Sequence, residues 1–271
     1  MTRLDLKVLG TWALMTAKGS PVKFSTDKEQ ALLVYLALEP GQPHPRRKLA
    51  TLLWPDVADK HALHSLRTAL YDLRQALNQA VPNLSETLLT VTRQTVQLNP
   101  AKLRLDVTTF QTLLTASQAH PHSRLADCAD CLELLEQAAE LYRGELLAGF
   151  SLADADPFEE WLLFRRERYH RQALLVLKNL AEGYEVHRNY ERGHTYAARL
   201  TNLDPYQEAS QRQLMRLLAL RGLPSQALAQ YATCRQLLRE AFGVEPDPET
   251  VALAAQIQSG RLQPTAAASP P

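Results

Sequence analysis

The chain begins with a strand-like alternation of residues and then changes to a helical period. Residues 4–8 alternate between apolar and polar side chains, which is the period of a half-buried strand. Residues 12–15 and 22–24 predict two further short strands. A helix is predicted to follow, with Thr26 or Asp27 as its N-cap.

The segment from Asp59 to Ala80 is predicted to be one long helix with two different faces. Its apolar positions recur at helical spacing and comprise Ala62, Leu63, Leu66, Ala69, Leu70, Leu73 and Leu77. The opposite face is basic and polar, and comprises Lys60, His61, His64, Ser65, Arg67, Thr68, Tyr71 and Arg74.

The segments on either side of this helix complete a known motif. A short helix is predicted from about Arg46 to Leu53, ahead of it. Two β-rich runs, residues 87–92 and 95–99, follow it and are joined by Arg93-Gln94, which predicts a hairpin. Three short strands, three helices and a terminal hairpin are the order of a winged helix-turn-helix.

Almost everything after residue 105 is predicted to be helical. The predicted helices cover residues 106–119, 125–142, 158–187, 190–203, 205–221, 224–242 and 248–259. A weak repeat at an offset near 34 aligns Leu180 with Leu214 and Ala197 with Tyr231. This period, with two helices in each unit, favours tetratricopeptide-like units.

The predicted fold class is therefore mainly α with a small β part. A winged helix-turn-helix DNA-binding domain is predicted over residues 1–105, and an all-α tetratricopeptide-like helical repeat domain over residues 106–260. Residues 261–271 are Ala- and Pro-rich and predict a disordered tail or a linker. The chain has no apolar stretch of the roughly 18 to 20 residues that a membrane helix needs, so we expect no membrane partner and a cytoplasmic location.

The charge is distributed unevenly between the two halves. Residues 1–110 hold 14 Lys and Arg against 9 Asp and Glu, a formal charge of +5. Residues 111–271 hold 16 against 20, a formal charge of −4. A basic first half and an acidic second half indicate different partners for each, and the basic excess is compatible with DNA in the first half.

The long amphipathic helix is the candidate for reading double-stranded DNA, because an α-helix fits the major groove. Arg67 or Arg74 could make the bidentate contact to guanine, while Ser65, Thr68 and Tyr71 suit phosphates or mixed contacts. Arg46, Arg47 and Lys48 begin the preceding helix and are expected to bind a phosphate at its N-terminus. Arg93 at the hairpin tip is expected to enter an adjacent minor groove. Asp72 lies on the same helix and its negative charge disfavours insertion into the groove there. We therefore expect the DNA contacts to concentrate nearer the N-terminal part of the helix. The alternative is an ordinary solvated helix face.

Other candidate chemistry is weaker. Cys128 and Cys131 form a CxxC pair in an acidic helical stretch without a second pair. His61 and His64 lack an evident third ligand for a metal, and the loop histidines His120 and His122 are expected to be solvated. Phosphate-binding Gly-rich loops, nucleophile motifs and HExxH are absent. We therefore predict no catalytic residues, no cofactor and no metal, and hence no enzyme.

Several segments together resemble the SARP family (Streptomyces antibiotic regulatory proteins). In the first half these are residues 4–10, 28–38, 46–56 and 66–77. In the second half the matching motifs are Leu141-Tyr142-Arg143-Gly144-Glu145-Leu146-Leu147, Glu160-Trp161 with the Arg165–Arg168 cluster, Leu203-Asp204-Pro205-Tyr206-Gln207-Glu208 and Phe242–Thr250. The hairpin departs from the family pattern, because Thr92-Arg93-Gln94-Thr95 stands where a Gly-Tyr pair is usual.

The resemblance implies an OmpR-type winged helix joined to a bacterial transcriptional activation domain. It also implies an activator that binds direct repeats in promoters, as a dimer or in tandem, and contacts RNA polymerase. The other hypothesis is a helical-repeat scaffold that binds a protein partner or senses a ligand and has little DNA affinity. The modest basic charge keeps that alternative open.

Overall fold

The computed structural model describes residues 4–262, so the predicted tail lies almost entirely outside the described residues. The chain forms two compact units. The first comprises the described residues up to Gln111 together with Leu141–His170, and the second comprises Thr112–Glu140 together with the residues from Arg171 onward. The structure is 65% helical with a small sheet part, which confirms the predicted fold class.

The first unit contains a three-stranded sheet in the order β2-β1-β6. Strand β1 (Leu4–Lys7) pairs antiparallel with β2 (Ala13–Met15) and parallel with β6 (Leu103–Leu105). The strand predicted at residues 22–24 is wrong, because only an isolated bridge between Met15 and Pro21 forms there. Proline has no amide hydrogen with which to continue a ladder. Strand β6 was not predicted.

Helices α1 (Asp27–Leu38), α2 (Arg46–Leu53) and α3 (Asp59–Ala80) follow β2 in the first unit. Helix α1 is capped by Thr26, whose hydroxyl accepts from the Glu29 amide, while the Glu29 carboxylate accepts from the Ser25 amide in a variant of the capping box. Helices α2 and α3 pack against α1 and against each other. Both ends of α3 lie where the sequence predicts them. Helix α1 is buried throughout residues 31–38, so the other two are arranged around it.

A second small sheet forms the wing, in the order β3-β5-β4. Its strands are β3 (His44–Pro45), β4 (Leu89–Val91) and β5 (Thr95–Leu98). The predicted strand start at residue 87 is wrong, because a short helix α4 (Leu84–Leu88) occupies that position. Leu84, Ser85 and Leu88 are buried while Glu86 and Thr87 are exposed, which is the pattern of a helix and not the alternation of a strand.

The buried carboxylate of Asp106 joins distant parts of the first unit. It accepts hydrogen bonds from the backbone amides of Val8 (3.0 Å), Leu9 (3.1 Å) and Val107 (2.9 Å), and it pairs with the Arg143 guanidinium at 2.7 Å. Burial raises the pKa of Asp106, while the amides of Val8 and Leu9 and the charge of Arg143 act in the opposite direction. A buried carboxylate is tolerated because it is paired and hydrogen-bonded.

The segment Leu141–His170 is held on the first unit by further polar contacts. The Trp161 indole donates to the Glu39 carboxylate at 2.9 Å, and Arg165 forms an ion pair with the same carboxylate. Arg166 donates to the backbone carbonyls of Leu146, Leu147 and Phe150 at 2.9 to 3.0 Å. Arg165 and Arg166 of the predicted arginine cluster are therefore paired within the first unit.

The second unit contains helices and no β-strand among its described residues. Helices α5 (Asp106–Ala119) and α7 (Asp156–Val186) contribute residues to both units. The remaining helices are α6 (Ala129–Leu141), α8 (Tyr190–Leu203), α9 (Glu208–Leu220), α10 (Pro224–Phe242) and α11 (Pro248–Gln258). Within residues 4–262, no helix is long and apolar enough to cross a membrane.

Small buried residues in the second unit allow its helices to pack closely. Gly193 in α8 and Ala227 in α10 lie 34 residues apart, and both are buried. A Cβ at Gly193 would lie 3.0 Å from Leu217 and 3.4 Å from the backbone oxygen of Ala181. Small residues at these positions let α8 approach its neighbouring helices closely.

We expect Asp106→Ala to destabilise the first unit by about 3 kcal/mol or more. The change leaves several buried amides and one guanidinium without their acceptor, and such losses cost about 1 to 3 kcal/mol each. Denaturant unfolding measures the effect. The matched control is Asp5→Ala, which removes only the pair with the largely exposed Arg104 and should cost less than about 1 kcal/mol. Equal costs for the two variants would contradict this role.

Gly193→Leu should destabilise the second unit by about 1 to 3 kcal/mol, because the added side chain must displace Leu217 or the backbone of α7. Thermal unfolding of the chain checks this. Ala232→Leu adds a similar side chain at an exposed position of α10 and serves as the control. A Gly193 variant as stable as the Ala232 variant would show that close packing at this position is unimportant.

Candidate nucleic-acid interface

Helix α3 presents one buried face and one open face. Its buried residues are Ala62, Leu66, Ala69, Leu70, Leu73 and Leu77. The predicted polar face is exposed at Lys60, His61, His64, Arg67, Thr68, Tyr71 and Arg74, and Ser65 is half-buried at its flank. Tyr71 is 62% exposed on this face.

The cations of α3 and of the wing tip form no ion pairs with the described part of the chain. Within residues 4–262, no carboxylate forms an ion pair with Lys60, Arg67, Arg74 or Arg93. Other cations of the first unit are paired, such as Lys28 with Asp154 and Arg104 with Asp5. The positive charge of the open face is therefore available to an anionic partner.

The N-terminus of α2 is attached to the tip of the wing. The Arg46 amide donates to the Gln94 carbonyl at 2.8 Å, and the Arg46 guanidinium donates to the Thr92 carbonyl at 3.2 Å. A shallow cleft lies where α2, α3 and the wing meet, and its lining includes Arg46, Arg47, Arg67 and Arg93. Four cations from three segments of the sequence thus converge on one concave surface.

Arg47 and Lys48 have partners within the unit. The Arg47 guanidinium forms a 2.5 Å ion pair with Asp59 at the start of α3, and both side chains are largely exposed. The Lys48 ammonium lies 5.9 Å from the centre of the Tyr35 ring. Exposed pairs of this kind contribute little to stability, so Arg47 can exchange Asp59 for a phosphate at small cost.

The turn of the wing is closed by a threonine side chain in place of glycine. The Thr92 hydroxyl accepts from the amides of Gln94 (3.2 Å) and Thr95 (2.9 Å), and the Thr92 amide donates to the Thr95 carbonyl at 2.9 Å. Hydroxyl side chains can stabilise turns in this way. The Thr92-Arg93-Gln94-Thr95 sequence therefore forms a closed hairpin tip, which carries Arg93 exposed.

The residues predicted to bind DNA lie in two parts of this surface. Arg46, Arg47, Arg67 and Arg93 line the cleft, while Lys60, His61, His64, Thr68, Tyr71 and Arg74 extend the surface along α3. Sequence reasoning missed Gln94, which lines the cleft, and Gln75, which is exposed four residues after Tyr71. The helical period contained the signal for Gln75. The contact between α2 and the wing, which places Gln94, has no local sequence signal.

Two protein families match the chain in sequence. The family described as bacterial transcriptional activator domain matches residues 105–258, and the family described as transcriptional regulatory protein, C terminal, matches residues 19–95. The second match contains α2, α3 and the wing tip, and so the whole cleft. The first match covers more than half of the chain.

The chain is also similar to individual proteins. Regulatory protein AfsR of Streptomyces coelicolor is 28% identical over 232 residues, covering 86% of this chain and 21% of AfsR. AfsR of Streptomyces griseus is 29% identical over 243 residues, covering 90% of this chain and 23% of that protein. The chain thus spans about a fifth of the length of these relatives.

The fold has a solved counterpart. The structure of Mycobacterium tuberculosis EmbR in complex with a low-affinity phosphopeptide aligns with a TM-score of 0.69 and 24% sequence identity, covering 97% of this chain and 66% of the EmbR chain. At this identity the likeness concerns the fold alone.

Proposed function

The chain belongs to the SARP family of transcription regulators through its bacterial transcriptional activator domain, and we propose that its first unit binds promoter DNA in a sequence-specific manner. The families and relatives indicate a transcription regulator and not an enzyme. The observation that carries the proposal is the unpaired basic face of α3, which continues into the cleft formed with α2 and the wing.

The dimensions of α3 suit the major groove of B-DNA. The groove is about 12 Å wide and accepts one α-helix, and the 22 residues of α3 extend about 33 Å. We propose that Arg67 and Arg74 contact base edges, with His64, Thr68 and Tyr71 beside them. Because Asp72 is half-buried on the flank of the helix, its charge does not lie at the centre of this face.

Phosphates are the proposed partners of the cations around α3. Arg46 and Arg47 occupy the N-terminus of α2, where the helix dipole favours an anion. Arg93 at the wing tip would then lie against the neighbouring backbone or minor groove. Phosphate contacts fix the position of α3, and base contacts supply the sequence preference.

Further parts of the proposal rest on family membership. We propose that the chain acts in the cytoplasm on promoters that carry direct repeats, with a dimer or tandem copies occupying the repeats. The helical second unit is proposed to contact RNA polymerase. Promoter binding without stimulation of transcription by purified polymerase would leave the DNA-binding proposal standing and refute the polymerase contact.

We expect Arg67→Ala and Arg74→Ala each to weaken binding to a recognised promoter fragment by about 1 to 3 kcal/mol, or roughly 5-fold to 150-fold, at fixed salt. Gel-shift titration measures this. Lys178→Ala is the charge-matched control, because it removes one cation from an exposed position of α7 in the second unit. Unchanged affinity in both arginine variants would refute the assignment of α3. A chain that binds no DNA even at low salt, but captures a protein partner tightly, would favour the scaffold hypothesis.

Arg93→Ala should flatten the salt dependence of binding. Removing one phosphate-neutralising cation reduces the slope of log K against log salt by about 1, with little change in sequence preference. Arg93→Lys keeps the charge and should keep the slope. Titrations at several salt concentrations separate the two variants. If the slope of Arg93→Ala equals that of the unchanged chain, the wing tip does not contact DNA.

A further inference from the structure

Four potential metal ligands converge between helices α5 and α6 in the second unit. His120 and His122 follow the C-terminal end of α5, Cys128 immediately precedes α6, and Cys131 lies in the first turn of α6. One ligand atom from each residue lies within 4.8 Å of the other three. The sequence analysis weighed the histidine and cysteine pairs separately, and the fold of the connecting loop brings them together.

The distances within this cluster suit a tetrahedral ion. The Cys128 Sγ lies 3.5 Å from the His120 Nδ1, and the Cys131 Sγ lies 3.6 Å from the His122 Nδ1. Zinc binds sulfur at about 2.3 Å and imidazole nitrogen at about 2.05 Å, so tetrahedral angles place nitrogen and sulfur about 3.6 Å apart. A small movement of side chains is enough to enclose a zinc ion.

The surroundings of the cluster also favour a metal ion. The second ring nitrogen of His120, Nε2, lies 3.9 Å from a carboxylate oxygen of Asp130. A carboxylate behind a ligating histidine orients the ring and raises its basicity.

The burial of the four side chains fits a structural metal site that an ion can still enter from solvent. Cys131 is fully buried, whereas His120, His122 and Cys128 are half-buried. Solvent therefore reaches the cluster from one side, and an ion can enter. The Cys131 thiol donates to the Ser117 carbonyl at 3.5 Å and lies beside the His122 ring.

We propose that His120, His122, Cys128 and Cys131 bind one zinc ion in a closed Cys2His2 site that fixes the loop between α5 and α6. Binding displaces the two thiol protons and forms two Zn–S and two Zn–N bonds. Four protein ligands leave no position for water or substrate, so the site is structural rather than catalytic. The site is independent of DNA binding by the first unit.

The test uses the full chain, purified under reductant, stripped with a chelator and reloaded with zinc. Elemental analysis should find about one zinc per chain. Reloading with cobalt(II) should give the intense visible absorption of a tetrahedral ion with thiolate ligands. The thermal midpoint should rise on reloading, because the ion binds only the folded site. A chain that retains no stoichiometric zinc, or a weak octahedral cobalt spectrum, would overturn the proposal.

Variants identify the ligands. Cys128→Ser and His122→Asn should each lower zinc affinity by about 100-fold or more, since even changes behind the ligands cost 10-fold to 100-fold. Cys234→Ser, which alters a buried thiol in α10, should keep the unchanged chain's stoichiometry and affinity. Circular dichroism verifies that each variant is folded. Equal zinc affinity in the Cys128→Ser, His122→Asn double variant and the unchanged chain would overturn the ligand set.

Asp130→Asn provides a test that does not threaten the fold, because the Asp130 side chain is 81% exposed. Loss of the carboxylate behind His120 should weaken zinc binding about 10-fold while leaving the stoichiometry at one ion. Unchanged affinity would show that Asp130 does not support the site and would refute this part of the proposal.

Discussion

Where strand β1 ends, the backbone amides of Val8 and Leu9 point into the interior of the first unit, and Asp106 accepts hydrogen bonds from both. The same carboxylate caps the start of α5 through Val107 and pairs with Arg143. Because each of these donors is costly to bury alone, their common acceptor brings three segments of the sequence to one point. The attachment of Leu141–His170 to the first unit follows from this requirement, and the Glu39 contacts of Trp161 and Arg165 reinforce it.

The candidate interface depends on the scaffold that these contacts complete. Helix α1 is buried, so α2 and α3 pack around it and must turn their remaining faces outward. On α3 that outward face holds basic and polar side chains that make no ion pairs within the described part of the chain. The wing is fixed beside it by the bonds from Arg46 to Gln94 and Thr92. A rigid support and an unpaired basic face are the two properties that a DNA-reading helix needs.

Sequence periodicity was sufficient for the long helices and insufficient for the contacts between distant residues. The bounds of α3, α8 and α10 are as predicted, because their apolar positions recur regularly and their ends carry breakers. Strand β6 is only three residues long and is defined by its parallel pairing with β1. No local sequence pattern therefore predicts it. Helix α4 covers only the predicted start of the first hairpin strand, at residues 87 and 88, since five residues hold too little periodicity to distinguish a helix from a strand.

In the candidate sites too, local features could be predicted from the sequence and contacts between distant segments could not. The open face of α3 follows from a single period, and its predicted residues are exposed with the exception of the half-buried Ser65. The cleft could not be predicted, because it requires α2 and the wing to meet. The His120–Cys131 cluster required knowledge of how a loop folds back on the helix ahead of it. The residue types of the candidate sites could therefore be predicted from the sequence. Which of these residues lie close together could be established only from the structure.

Selection of duplexes from a random oligonucleotide pool tests most directly whether the first unit reads DNA sequence. The purified chain is used at physiological salt, where nonspecific binding is weak. We expect enrichment of one short sequence, present as repeats in the same orientation. A pool that remains random after successive rounds, at salt concentrations where some DNA is still retained, would contradict sequence-specific recognition by this surface.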